Sequence, residues 1–158
     1  MGRGLPEAKS MTPTPKRLKI RQAYFFRAPV TKVFRSLTEP TELARWFLKE
    51  ARLPPKAGAT YEFVWQQGYR HRAKVIAFVS NRKLTLEWPA KGLGMTQVEF
   101  TLAARKGGTL LTLRHTGFGR TPAWVENYGG TCQGWAYFLT NLKSVLQNGA
   151  DLREVGDA

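Results

Sequence analysis

The chain has 158 residues, 42% hydrophobic and 12% aromatic, which is enough to bury one substantial core and excludes a disordered chain. A net charge of +14, from 25 basic and 11 acidic residues, favours contact with anions. The single cysteine, Cys132, excludes an intrachain disulfide and, with only two histidines, speaks against a four-ligand zinc site.

Residues 1–15 are rich in Pro, Gly and Thr and read as a flexible basic tail with no signal-type apolar run. Nine basic residues and one acidic residue lie through Arg35, so over half of the charge excess is N-terminal. These charges are scattered and not interleaved with exposed aromatics. That favours a solvated basic surface over nucleic-acid binding. No apolar run approaches the roughly 20 residues of a membrane span.

The spacing predicts a half-buried strand over Leu18–Arg27, with Leu18, Ile20, Tyr24 and Phe26 on one face. Pro29 suits the first turn of a helix, and Val30, Val33, Phe34 and Leu37 form its apolar stripe. Thr38 is expected to cap a second short helix, with Pro40 in its first turn, ending near Trp46 and Phe47. From Gly58 to Phe118 about five strands follow, separated by turn residues. Tyr61, Phe63 and Trp65 share one face, as do Leu84, Leu86 and Trp88. Thr96, Val98, Phe100 and Leu102 align, and so do Leu111, Leu113 and His115. A Gly- and Pro-containing connection then leads to a helix over Cys132–Gly149. Its stripe is Trp135, Phe138, Leu139, Leu142, Val145 and Leu146, and Gly149 is its C-cap.

Short connections favour an antiparallel sheet with one buried face. One long helix must cover that face, which makes an α+β two-layer fold. Curvature between the layers would leave a pocket. Its expected lining is Phe63, Trp65, Tyr69, Leu86, Trp88, Val98, Phe100, Leu111, Leu113, His115, Trp135, Leu139 and Leu142. His115, Tyr69 and Gln133 are the groups expected to orient a ligand. If the chain is an enzyme, His115 and Tyr69 are the acid–base candidates. His71 shares a parity with Tyr69 that would face it inward, but the flanking Arg70 and Arg72 favour an exposed histidine on a strand edge. Cys132 reads as a small buried thiol. No metal and no cofactor is expected.

The stretch "APVTKVFRSLTEPTELARWF", followed in order by "RKLTLEW", "GGTLLTLRHTGF" and the "GW" of Gly134 and Trp135, resembles the START/Bet v-like (SRPBCC) superfamily. Within it, the stretch looks specifically like homologues of the heat-shock protein 90 ATPase activator C-terminal domain. The resemblance covers about Leu18 to Gly149. It implies a helix-grip fold, a curved antiparallel sheet of about six strands around the C-terminal helix, often with a hydrophobic cavity. The expected domain is therefore residues 16–150, with a short tail over 151–158. The expected function is binding of a small apolar or amphipathic ligand in the cytoplasm, as a monomer or homodimer. A polyketide cyclase- or aromatase-like enzyme and a module contacting a chaperone or acidic protein are the alternatives that the resemblance implies.

Overall fold

A computed structural model describes residues 18–154, so the tail expected over residues 1–15 lies outside the described residues. Strand β1 (Ile20–Phe26) is followed by helices α1 (Val30–Thr38) and α2 (Pro40–Trp46). Strands β2 (Glu50–Arg52), β3 (Thr60–Val64), β4 (Arg70–Val79), β5 (Lys83–Ala90), β6 (Gly94–Arg105) and β7 (Gly108–Thr116) come next. Helix α3 (Pro122–Asn148) closes the order. The strands form one antiparallel sheet in the order β1-β7-β6-β5-β4-β3-β2. This is the α+β two-layer fold that the alternation predicted and the helix-grip architecture that the resemblance implied, with seven strands where about six were expected. The extra strand, β2, is three residues long, too short to show a period of two.

The core lies between the inner face of the sheet and α3. Leu139 and Leu142 from the helix are wholly buried, as are Val98, Leu111 and Leu113 from the sheet. Burying each such side chain is worth about 1.5–3 kcal/mol. A bulge between Val75 and Ala77 shifts the parity of β4, so Phe78 turns inward opposite Leu84 and meets Phe34 edge-on at 5.3 Å.

Three expectations are corrected. Thr38 does not cap α2: it is the last residue of α1, and its hydroxyl donates to the Phe34 carbonyl at 2.8 Å. Helix α3 begins ten residues before Cys132. Thr121 is its N-cap, accepting from the Trp124 N–H at 3.3 Å, and Pro122 fills the first turn. The early start survives Gly129 and Gly130 because Trp124 and Tyr128 pack on Phe118, at 6.1 and 5.2 Å between ring centroids. Third, His71 is not exposed. It is 6% accessible and faces the core opposite Phe63. Cys132 is half-buried.

Candidate functional site

The site is built around Phe47, the residue at which α2 stops. Its position is over-determined. The Trp46 indole N–H donates to the Ser36 carbonyl at 2.8 Å, and the buried Asn141 of α3 donates to the Trp46 carbonyl at 2.9 Å. The buried Arg153 guanidinium donates to the Ala44 and Leu48 carbonyls at 2.8 and 3.2 Å, which satisfies the carbonyl end of α2. Phe47 then meets Phe138 at 4.9 Å, Trp65 at 5.4 Å, Trp135 at 5.5 Å and Trp88 at 6.3 Å.

These rings leave a slot of about 150 Å³, open to the outside and almost wholly apolar. Thr131 and Gly134 of α3 complete its wall. A Cβ added to Gly134 would meet nothing within 4 Å, so the glycine leaves room beside the slot. Two wider depressions adjoin it. One, of about 490 Å³, lies over Gln66, Gln67 and Tyr137. The other, of about 220 Å³, lies beside Tyr69, Thr96 and His115. Deeper, between the sheet and the two short helices, only about 10 Å³ remains, among Leu37, Leu43, Leu84, Leu86 and Phe100.

The expected lining therefore divides. Trp65, Trp88 and Trp135 meet at the slot. Phe63, Leu86, Val98, Phe100, Leu111, Leu113, Leu139 and Leu142 are packed core behind it. Tyr69 is 40% exposed on the hairpin tip between β3 and β4. Phe47 and Gly134 were not foreseen as lining. Phe47 had only the signal of an aromatic pair closing a helix, and Gly134 reads locally as a helix-weakening residue.

His115 is 1% exposed and fully engaged. The Trp135 indole N–H donates to His115 Nδ1 at 3.0 Å, so that nitrogen carries the lone pair. His115 Nε2 must then donate to Thr96 Oγ1 at 2.7 Å, and the Thr96 hydroxyl donates to the Trp88 carbonyl at 2.6 Å. This relay ties two walls of the slot, Trp88 and Trp135, together and keeps the ring neutral. Burial lowers the His115 pKa to about 3.

A second polar group sits one layer back. The Tyr61 hydroxyl donates to the Glu87 carbonyl and lies 3.0 Å from His71 Nε2. Burial lowers the His71 pKa to about 4, and burial, with the nearby Glu87 carboxylate, raises that of Tyr61. Among the described residues no group of three metal-ligating side chains assembles, and no helix is long and apolar enough to cross a membrane.

A model of the family described as Activator of Hsp90 ATPase homolog 1-like protein matches residues 27–147. Protein MLL2253 from Mesorhizobium loti is 25% identical with a TM-score of 0.75, over 85% of this chain and 100% of that one. DynU16, a protein of the dynemicin biosynthetic locus, is 25% identical with a TM-score of 0.77, over 89% of this chain and 51% of that one. The Aha1 dimer from Colwellia psychrerythraea is 21% identical with a TM-score of 0.73, over 84% and 98%, a likeness of fold alone. No curated protein matches the sequence.

Proposed function

This chain belongs to the Activator of Hsp90 ATPase homolog 1-like family, and on that premise we propose that it is a binding module whose aromatic slot takes a small apolar or amphipathic ligand. The observation that carries this reading is the slot itself: five large aromatic side chains, packed edge and face against one another, line an open apolar space of about 150 Å³. A slot of about 150 Å³ has room for one benzene-sized ring. A second ring or a short chain would extend into the adjoining depressions, whereas a long acyl chain exceeds the space beneath α3. Burying about 150 Å² of apolar ligand surface contributes about 4 kcal/mol before the cost of association. Affinities of about millimolar or weaker follow for single-ring ligands.

His115 supports binding more than acid–base chemistry. Its one lone pair is taken by the Trp135 indole, and its one N–H by Thr96. To act as a base it would have to release Trp135, a wall of the slot. No hydrogen bond joins it to Tyr69 among the described residues. We therefore assign it the role of holding Trp88 and Trp135 in place.

Calorimetric titration with toluene, naphthalene and a long-chain fatty acid tests the proposal. The two aromatics should bind and the fatty acid should bind at least tenfold more weakly. Gly134→Leu should abolish aromatic binding at an unchanged or higher melting temperature. Preferential binding of the fatty acid, or aromatic binding that ignores Gly134→Leu, would contradict it.

A further inference from the structure

Helix α3 runs past the slot and then past the depression beside Tyr69. Gly134 and Phe138 wall the slot, Asn127 walls the depression, and Thr131 borders both, as does Trp88 of β5. Asn127, Thr131, Gly134 and Phe138 recur at steps of four, three and four, so they form one stripe of the helix. The two spaces are therefore neighbours along a single helix face. At 1.5 Å of rise per residue, Gly134 and Asn127 stand about 10 Å apart along it.

Their chemistry differs. The slot is almost wholly apolar, whereas Lys91, Tyr69 and Asn127 bring polar side chains to the depression. Lys91 is exposed in the turn between β5 and β6. That turn is fixed by the left-handed Gly92, at φ 78°, and by the Leu93 N–H donating to the Ala90 carbonyl at 2.9 Å. The Lys91 ammonium has no carboxylate within 4.0 Å among the described residues. Arg70 and Arg72, on the other side of Tyr69 and Pro89, already face Glu62 at 3.5 and 3.4 Å. Asn127 accepts from the Thr131 hydroxyl through its backbone carbonyl, which leaves its side-chain amide without a partner among the described residues. No Asp or Glu lines the depression, and His115 and Thr96, which border it, are both engaged in the relay. One cation without a counter-ion and two hydrogen-bond donors thus stand beside an apolar slot.

We propose that the ligand is a short aryl-alkanoic acid, its ring in the slot and its carboxylate in the depression against Lys91, with the Tyr69 hydroxyl and the Asn127 amide as further donors. This rests on the slot being a binding site. A carboxylate is the head group that a cation and donors recognise together, and the absence of an acidic side chain from the lining leaves nothing there to repel it. An ammonium head would meet Lys91 as a like charge. A chain of a few carbons spans the step from Gly134 toward Asn127.

The test is a matched set of 4-phenylbutanoate, 4-phenylbutanamide and 4-phenylbutylammonium, which share ring and chain length and differ in head-group charge. They are titrated at pH 7.5 and low salt, with chemical-shift changes as the readout. The wild type should bind the carboxylate at least fivefold more tightly than the amide, and the ammonium most weakly. Lys91→Gln should shrink the carboxylate preference below twofold with amide affinity kept, and Lys91→Glu should place the ammonium ahead of the carboxylate. Lys106→Gln, an equal loss of charge in the turn at the other end of β6, should leave the preference intact. Gly134→Leu should bind none of the three. Equal affinities for carboxylate and amide in the wild type would overturn the inference and leave the slot reading standing. So would a preference that persists in Lys91→Gln, since the net charge of +14 alone would then explain it. Carboxylate binding that depends on Lys91 but ignores Gly134→Leu would overturn the slot reading and the placement of the ring with it. Failure of all three probes to bind the wild type would overturn both.

Discussion

The two histidines are both neutral in the folded chain for the same reason, burial, yet they differ in what surrounds them. His115 has both ring nitrogens bonded; His71 has one. Their folded pKa values, about 3 and about 4, lie below the ordinary 6.5 of an unfolded chain. Below pH 6.5 the unfolded state therefore binds more protons than the native state. Stability should be flat in these groups above pH 6.5 and fall as the pH drops toward 4, by on the order of a few kcal/mol in all. Urea unfolding at pH 7, 6, 5 and 4.5 measures this. A flat midpoint across that range would show that neither ring is buried neutral. At the same scale, Thr96→Val removes the acceptor of His115 Nε2–H and the donor to Trp88, and should cost about 2–3 kcal/mol. His115 could be placed inward because its parity follows Leu111 and Leu113. For His71 parity offered the inward place too, but the charged residues on both sides of it, which belong to the opposite face, favoured the exposed reading that the structure overturns.

At the scale of elements, the strands were readable because each has one buried face. Tyr61 and Phe63, Leu84 and Leu86, and Val98 and Phe100 announce their parity, and the structure buries all six. The beginning of α3 was not readable, since Gly129 and Gly130 break the local helical signal and the packing of Trp124 and Tyr128 on Phe118 restores it from outside the segment. That difference is testable. A Cβ at Gly129 meets open space within a helix, so Gly129→Ala should stabilise by about 1 kcal/mol. A Cβ at Gly108 would fall on the Phe26 carbonyl oxygen where β7 joins β1, so Gly108→Ala should destabilise by about 2 kcal/mol or more. Thermal melts of the two variants should move in opposite directions, and a shared direction would contradict the placement of one of them. The strap after α3 belongs here too. Arg153→Ala strips two donors from the end of α2 and one partner from Asp151, and should cost about 2–3 kcal/mol. Because Asp151 has its pKa lowered to about 2, chiefly by Arg153, the strap should hold above pH 4 and weaken only as the pH falls from about 4 toward 2.

At the scale of the whole molecule, the question left by the sequence was whether α3 covers a filled core or a chamber. It does both, in different places. Beneath Leu139 and Leu142 sheet and helix meet as packed core, and at the rim the aromatic side chains border an open space of about 150 Å³. Periodicity told which residues face inward. It could not tell how far the sheet curves away from the helix, and that distance decides whether an inward residue is core or lining. Phe47 illustrates the limit: its place at the slot depends on Asn141 and Arg153, about a hundred residues further on. Family membership accounts for the architecture, and the slot accounts for the proposed ligand class. The most direct measurement follows the five tryptophan indole N–H resonances during titration with toluene. The indoles of Trp65, Trp88 and Trp135 should move while that of Trp124 stays, and Gly134→Leu should silence all of them. Indoles that do not respond in the wild type, or that respond equally in Gly134→Leu, would contradict a binding slot at the mouth of the helix–sheet interface.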